Sequence, residues 1–100
     1  MEICKKEISS FDDLVFGVHP AGRGSVASMH ELPNGILLSV IGGFPGEGHP
    51  RLSGDGIHTF EVAAWYKEGH EWIQLSEDGD ILHWQNRNQI TEVIQKLLSM

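Results

Sequence analysis

Three features that often reveal a protein's class are scarce in this sequence: cysteine, long apolar runs and basic residues. Its 100 residues contain a single cysteine, Cys4, which excludes an internal disulfide and favours a reducing, intracellular setting. The longest nearly apolar run, residues 35–44, is about half the length that spans a bilayer, and no apolar stretch follows the charged N-terminus as a secretory signal would require. We therefore expect a cytoplasmic protein with no membrane partner.

Basic residues are outnumbered by acidic ones. Seven lysines and arginines stand against 14 aspartates and glutamates, a formal charge of −7 with neutral histidines. The adjacent pair Lys5 and Lys6 is flanked by glutamates. Because nucleic-acid binding usually needs a basic face that neutralises phosphates, we expect no nucleic-acid partner. Residues 68–80 lack lysine and arginine and predict a solvated hairpin rim, with a patch for a basic partner as the alternative. The acidic residues of this stretch are Glu68, Glu71, Glu77, Asp78 and Asp80.

Alternation of apolar and polar residues predicts a sheet built from hairpins. Residues 25–32 alternate, residues 36–41 are apolar on both faces, and the tetrapeptide LPNG joins them. Pro33 presets the backbone of a type I turn, and Gly35 suits the left-handed conformation that follows it. The longest predicted strand is residues 57–67. A second meander follows, with strands at residues 70–75 and 81–84 joined by SEDG.

The period changes at the C-terminus, where apolar residues three and four positions apart predict one stripe on a helix: Ile90, Val93, Ile94, Leu97 and Leu98. Asn86 or Asn88 can cap this helix, and Gln89 stands in capping-box spacing after Asn86. A helix this short needs a surface to pack on. We predict one α+β domain over residues 1–100. It has an antiparallel sheet of five or six strands in meander order, with one C-terminal helix packed on one face. Residues 1–10 form a short edge strand or stay loose.

Residues 42–56, GGFPGEGHPRLSGDG, contain six glycines and two prolines. This stretch is too long for a hairpin turn, and loops of more than about 12 residues are usually functional or mobile. Its glycines make it costly to order, which suits a segment that settles on binding. We predict that four of its residues contact a partner protein: Phe44, His49, Arg51 and Leu52.

Six histidines raise the alternative of a metal site. His19, His49 and His58 lie in or beside the two glycine-rich segments and could converge, with Asp55 or Glu47 as a fourth ligand. No HxH, HxxxH or CxxC spacing supports this site, and no Gly-x-Ser-x-Gly or P-loop motif indicates a reaction. We favour a protein without metal, cofactor or catalytic residues. A small metal-dependent or histidine-based hydrolase is the alternative.

Three tryptophans, Trp65, Trp72 and Trp84, fall on consecutive predicted strands. The interpretation we favour is that they pack against one another or under the helix. The alternative is an exposed patch for protein recognition, because tryptophan is enriched at contact hot spots. Trp65 is the best candidate for such a contact, since the polar residues of its strand, Glu61 and Lys67 among them, share its face.

Taken in order, four segments resemble small proteins of unassigned function that are encoded by tailed bacteriophages and prophages: FDDLVFGVHPAGRGSVASMHELPNGILLSVIGG, HTFEVAAWYKEG, DGDILHW and NQITEVIQKLL. The shared features are an HPxG-type loop before a strand, an NG turn, a variable Gly/Ser loop, an EVA strand and a terminal helix, over residues 11–98. This chain departs from them in its longer, proline-containing loop and in its tryptophans.

The resemblance implies an accessory protein acting in a bacterial cytoplasm, and it brings no catalytic residues with it. We therefore expect a non-enzymatic protein that binds a protein partner. Inhibition of that partner is one form that this function can take. A minor structural component of a phage particle is a further alternative. A homodimer formed through edge strands is compatible with the pattern.

Overall fold

The described part of the chain forms one antiparallel sheet and one helix. The computed structural model describes residues 3–18, 25–43, 54–77 and 79–100. The strands follow one another in the meander order β1-β2-β3-β4-β5, and the helix follows the last strand directly. The elements are a 3-10 turn at Phe11–Asp13, β1 (Gly17–Val18), β2 (Val26–Glu31), β3 (Ile36–Gly42), β4 (Thr59–Tyr66), β5 (Ile81–Asn86) and α1 (Arg87–Leu98). The predicted α+β architecture is confirmed, with five strands.

The predicted first hairpin joins β2 to β3. The backbone N–H of Gly35 donates to the carbonyl of Leu32 at 3.1 Å, which closes the LPNG turn, and Leu32 N–H donates to Ile36 at 2.8 Å. Gly35 has a φ of +82°, the left-handed conformation that glycine adopts without steric cost. The turn fixes the register of the two strands, with Met29 opposite Ser39.

The helix begins with the predicted capping box. The side chain of Asn86 accepts a hydrogen bond from Gln89 N–H at 2.8 Å, and the Gln89 side chain accepts one from Asn86 N–H at 2.8 Å. Two amide groups that would otherwise lack a partner at the helix start are therefore satisfied. Because α1 starts at the residue after β5, this cap also fixes the direction in which the helix leaves the sheet.

The helix packs its apolar stripe on one face of the sheet, as the periodicity predicts. Ile90, Ile94 and Leu97 are fully buried. They form one core with the buried residues of β3 and β4 that face them, such as Leu38 and Val62. Burying each of these helix side chains favours folding by about 2 kcal/mol. The buried core comprises Ile8, Phe11, Leu14, Leu32, Ile36, Leu38, Val40, Phe60, Val62, Ala64, Ile73, Ile90, Ile94 and Leu97.

The strand predicted at residues 70–75 is wrong. The chain turns at Gly69 and His70, whose φ angles are +84° and +55°, and it then meets β4 only at an isolated bridge between Trp72 and Trp65. Left-handed residues interrupt a pleated strand, so the pairing does not extend. The SEDG turn agrees with the prediction at its ends, since Ser76 and Gly79 exchange two backbone hydrogen bonds of 3.2 and 3.4 Å.

The N-terminal segment lies along the outer edge of β2, beyond the two residues of β1. Cys4 N–H donates to Met29 at 2.8 Å and the Cys4 carbonyl accepts from Glu31 N–H at 3.0 Å, while Ile8 is buried in the core. The edge strand predicted as one alternative for residues 1–10 is thus reduced, among residues 3–10, to an isolated bridge at Cys4. This segment partly covers an edge that β1 is too short to protect.

A buried histidine connects this edge to the core. The His30 side chain is fully buried, and its Nε2 accepts a hydrogen bond from the Val15 backbone N–H at 3.1 Å. Its Nδ1 has no partner among the described residues, and neither do the buried hydroxyls of Ser25 and Ser28. Burial lowers the pKa of His30, and the positive charge of Lys6 lowers it further.

Replacing Ile94 with alanine tests the helix packing. We expect Ile94→Ala to reduce the free energy of unfolding by about 2–5 kcal/mol, because it removes buried methylene and methyl groups and leaves a cavity. Glu92→Ala, on the exposed side of the same helix, is the control and should change stability by less than about 0.5 kcal/mol. Urea unfolding followed by circular dichroism measures both, and equal effects would contradict the packing described.

Acid should destabilise the fold through His30. The pKa of this imidazole in the folded chain is below its ordinary value of 6.5, so the unfolded chain binds the proton more readily. Stability is therefore complete above pH 6.5 and is lost as the pH falls below it, by at most about 1.4 kcal/mol per pH unit for one proton. Urea titrations from pH 7 to pH 5 should show this slope in the wild type and in the exposed control His70→Asn. A slope that persists in His30→Gln would show that another group is responsible.

Candidate functional site

Strand alternation leaves one face of the sheet without a covering layer. The buried row His30, Leu38 and Ala64 runs across β2, β3 and β4 on the helix side, so the odd-numbered residues of these strands point to the other side. Within the described ranges, no helix or second sheet is layered on that side. We call this surface the open face; its residues, of which Ala27 and Leu37 are buried, are Ala27, Met29, Glu31, Leu37, Ser39, Ile41, Thr59, Glu61, Ala63, Trp65 and Ile81.

A pair of tryptophans stands at one end of the open face. Trp65 lies at the end of β4 and bridges to Trp72, with the flanking hydrogen bonds Tyr66 N–H to Glu71 at 2.8 Å and Ile73 N–H to Ala64 at 2.9 Å. Such a non-hydrogen-bonded pair brings its two side chains close together, and the ring centroids are 5.1 Å apart. The Trp72 side chain is 51% exposed, whereas Trp65 is partly buried. We call the two residues the tryptophan pair.

The surroundings of the tryptophan pair are acidic. Lys67 is the only lysine or arginine in residues 54–77, and its Nζ lies 2.9 Å from Glu31 Oε1. This hydrogen bond lowers the pKa of Glu31. Four carboxylates of residues 68–80 are exposed to solvent, of which Glu71 is adjacent to Trp72 and Glu77 lines a shallow pocket together with Lys96: Glu68, Glu71, Glu77 and Asp80. Asp78, which the sequence adds to this stretch, lies outside the described residues.

The third tryptophan is placed differently from its predicted position. Trp84 is 64% exposed and has a φ of +50°, so the packing interpretation is wrong for this residue. The register explains why: Val62 pairs with Leu82 but Phe60 pairs with Gln85, which leaves an extra residue in β5. This is a β-bulge, and a bulge redirects the side chains of the strand that carries it. The Trp84 ring contacts the His83 ring at 5.6 Å between centroids.

The described ends of the glycine-rich stretch 42–56 are closely packed. A Cβ atom on Gly42 would lie 2.6 Å from the Cα of Gly56, so the two backbones approach as only glycines allow. Asp55 Oδ1 accepts three backbone N–H groups at 2.8, 2.7 and 3.0 Å, from Ile57, His58 and Thr59. These bonds lower its pKa to about 2. The four predicted contact residues, Phe44, His49, Arg51 and Leu52, lie outside the described residues.

Of the three histidines in the metal hypothesis, His58 is the one that lies within the described residues. His58 is exposed, and its backbone N–H donates to Asp55. His19 and His49 lie outside the described residues. Across residues 3–18, 25–43, 54–77 and 79–100, no three histidine, cysteine or acidic side chains are grouped so as to hold a metal ion.

The comparisons with known proteins give no relative from which a function could be inferred. No family model, curated protein or solved structure matches this chain. Within the described ranges, no helix has the length and apolar character needed to cross a bilayer.

Removing the charge of Asp55 should weaken the base of the glycine-rich stretch. We expect Asp55→Asn to lower the free energy of unfolding by about 1–2 kcal/mol at pH 7, since the carboxylate is partly solvated and the amide retains some hydrogen bonds. The stability that the carboxylate contributes is complete above its ordinary pKa of 3.8 and is lost as the pH falls through about 2. The difference between the two proteins should therefore shrink at pH 3 in urea titrations. Asp80→Asn, an exposed control, should match the wild type, and equal stability of Asp55→Asn at pH 7 would contradict the assignment.

Proposed function

We propose that this chain is a non-enzymatic protein that binds a protein partner on its open face, with the tryptophan pair as the anchor. The observation that carries the proposal is the half-exposed ring of Trp72, held against Trp65 at the end of the open face. Tryptophan is among the residues that contribute most to binding when a partner covers them.

The rigidity of the tryptophan pair favours binding. Two backbone hydrogen bonds fix the segment that carries Trp72, and Trp65 pairs across the strands with Leu37, a buried residue of the open face. A side chain that is already held in place loses little conformational entropy when a partner arrives. A partner would therefore meet a preformed surface.

The hydrolase alternative rests on His19, His49 and His58, of which His58 alone lies among the described residues. His58 is exposed, and within the described ranges it does not belong to a group of three side chains that could hold a metal ion. We therefore keep this function as the alternative.

We propose that the protein acts in a bacterial cytoplasm, because its sequence resembles proteins of phages and prophages. The partner is then a host or phage protein, and inhibition of that partner is one way in which such an accessory protein acts. Assembly of the purified chain into rings or arrays on size-exclusion chromatography would instead favour a component of a phage particle.

Truncating Trp72 tests the proposal. The immobilised chain is incubated with a bacterial lysate, and the retained proteins are quantified by mass spectrometry for the wild type and two variants. Trp72→Ser should reduce retention of specific partners by at least about tenfold, because it removes the proposed hot spot. Ile57→Ser removes an apolar side chain of similar exposure, 48%, beyond the other end of β4 and should retain them. Melting temperatures of the three proteins verify that the fold is intact, and equal retention by Trp72→Ser would sink the proposal.

A further inference from the structure

Building on the proposed function, we propose that the tryptophan pair recognises a basic segment of the partner protein. An arginine or lysine side chain of that segment lies against the exposed ring of Trp72. The occupant is identified by two separate properties of the surface, the open aromatic ring and the sign of the charge around it.

The ring is suited to a cation, and no lysine or arginine of the described residues is stacked on it. Tryptophan has the most favourable aromatic face for an ammonium or guanidinium group within about 6 Å of its centroid. The chain uses this kind of contact elsewhere, since Arg87 Cζ lies 5.1 Å from the centroid of Phe11. Lys67, the basic residue nearest to Trp72 in the sequence, is instead paired with Glu31 at 2.9 Å.

The charge around the ring attracts cations and repels anions. Glu71 is adjacent to Trp72 in the chain, so its Cα lies about 3.8 Å from Trp72 Cα, and Glu68 is four residues away. Both carboxylates are exposed, and so are Glu77 and Asp80 farther along. Charges within a screening length of about 8–10 Å add to the local potential at physiological ionic strength. An incoming basic segment is therefore steered to this end of the open face.

The same charge argues against the other occupants of an apolar sheet face. A second copy of the chain would bring a formal charge of −7 against another −7. A nucleic acid would bring its phosphates to exposed carboxylates. A protein segment that carries arginine or lysine avoids both kinds of charge repulsion. The apolar parts of its side chains can also cover the tryptophan rings.

A pair of peptides that differ only in charge tests this inference. The first is a nine-residue peptide in which glycine and arginine alternate, and the second carries neutral citrulline at each arginine position. Indole N–H signals of the three tryptophans, followed by NMR and assigned with Trp→Phe variants, report where each peptide binds. We expect the arginine peptide to shift the Trp65 and Trp72 signals and to leave Trp84 in place, with affinity at least about tenfold above that of the citrulline peptide.

The double variant Glu68→Gln/Glu71→Gln should weaken binding of the arginine peptide by about fivefold or more at low salt, and the weakening should fade as added salt screens the charges. Glu92→Gln, which removes an exposed carboxylate from the helix on the opposite face of the sheet, is the control and should bind as the wild type. Equal binding of the two peptides, no binding of the arginine peptide, or shifts confined to Trp84 would each overturn the inference.

The two proposals fail in distinguishable ways. Loss of lysate partners in Trp72→Ser together with equal binding of the two peptides would retain the protein-binding function and overturn its basic-segment partner. Unchanged retention by Trp72→Ser would overturn the function itself, whatever the peptides show.

Discussion

Packing of a single short helix against the sheet is the contact on which the rest of the described structure depends. A helix of 12 residues is marginal alone in water, and a small sheet needs a covering layer to be stable. Ile90, Ile94 and Leu97 meet both needs at once, because their burial shields the helix stripe and the central strands together. One helix can cover only one face. The open face is therefore a consequence of the way this chain stabilises itself.

An uncovered sheet risks pairing with other sheets, and several features of the chain limit that risk. At one edge, β1 is two residues long and the Cys4 segment occupies part of β2 beyond it. At the other edge, the bulge at Trp84 interrupts the regular ladder of β5. Bulges, short edge strands and charge are the usual means by which sheet proteins avoid edge-to-edge association. The short β1, the Cys4 segment and the bulge of β5 thus limit edge-to-edge pairing at both edges of the sheet.

The sequence predicts those parts of the fold that are determined locally. The LPNG turn, the capping box at Asn86 and the helix stripe each depend on residues a few positions apart, and each is confirmed. The strand at 70–75 fails because left-handed conformations at Gly69 and His70 set the path of the chain, and a run of alternating residues does not reveal them. The expectation that the tryptophans pack against one another holds for Trp65 and Trp72, although the cross-strand register that brings their rings together is not visible in the sequence. The bulge that exposes Trp84 likewise arises from the pairing of β5 with β4, which the sequence pattern does not reveal.

Register also decides which charges reach the tryptophan pair. Glu31 and Trp65 both pair with Leu37, one from each neighbouring strand, so these three side chains form a row across the open face. Lys67 follows Trp65 by two residues, and its ion pair with Glu31 crosses the end of that row. A lysine that stayed unpaired here would compete with an incoming cation for the tryptophan rings and would offset the charge of Glu68 and Glu71. Because Lys67 is paired with Glu31, the charges closest to Trp72 in the sequence that remain unpaired with Lys67 are Glu68 and Glu71, which is the sign of charge that the proposed basic partner would require.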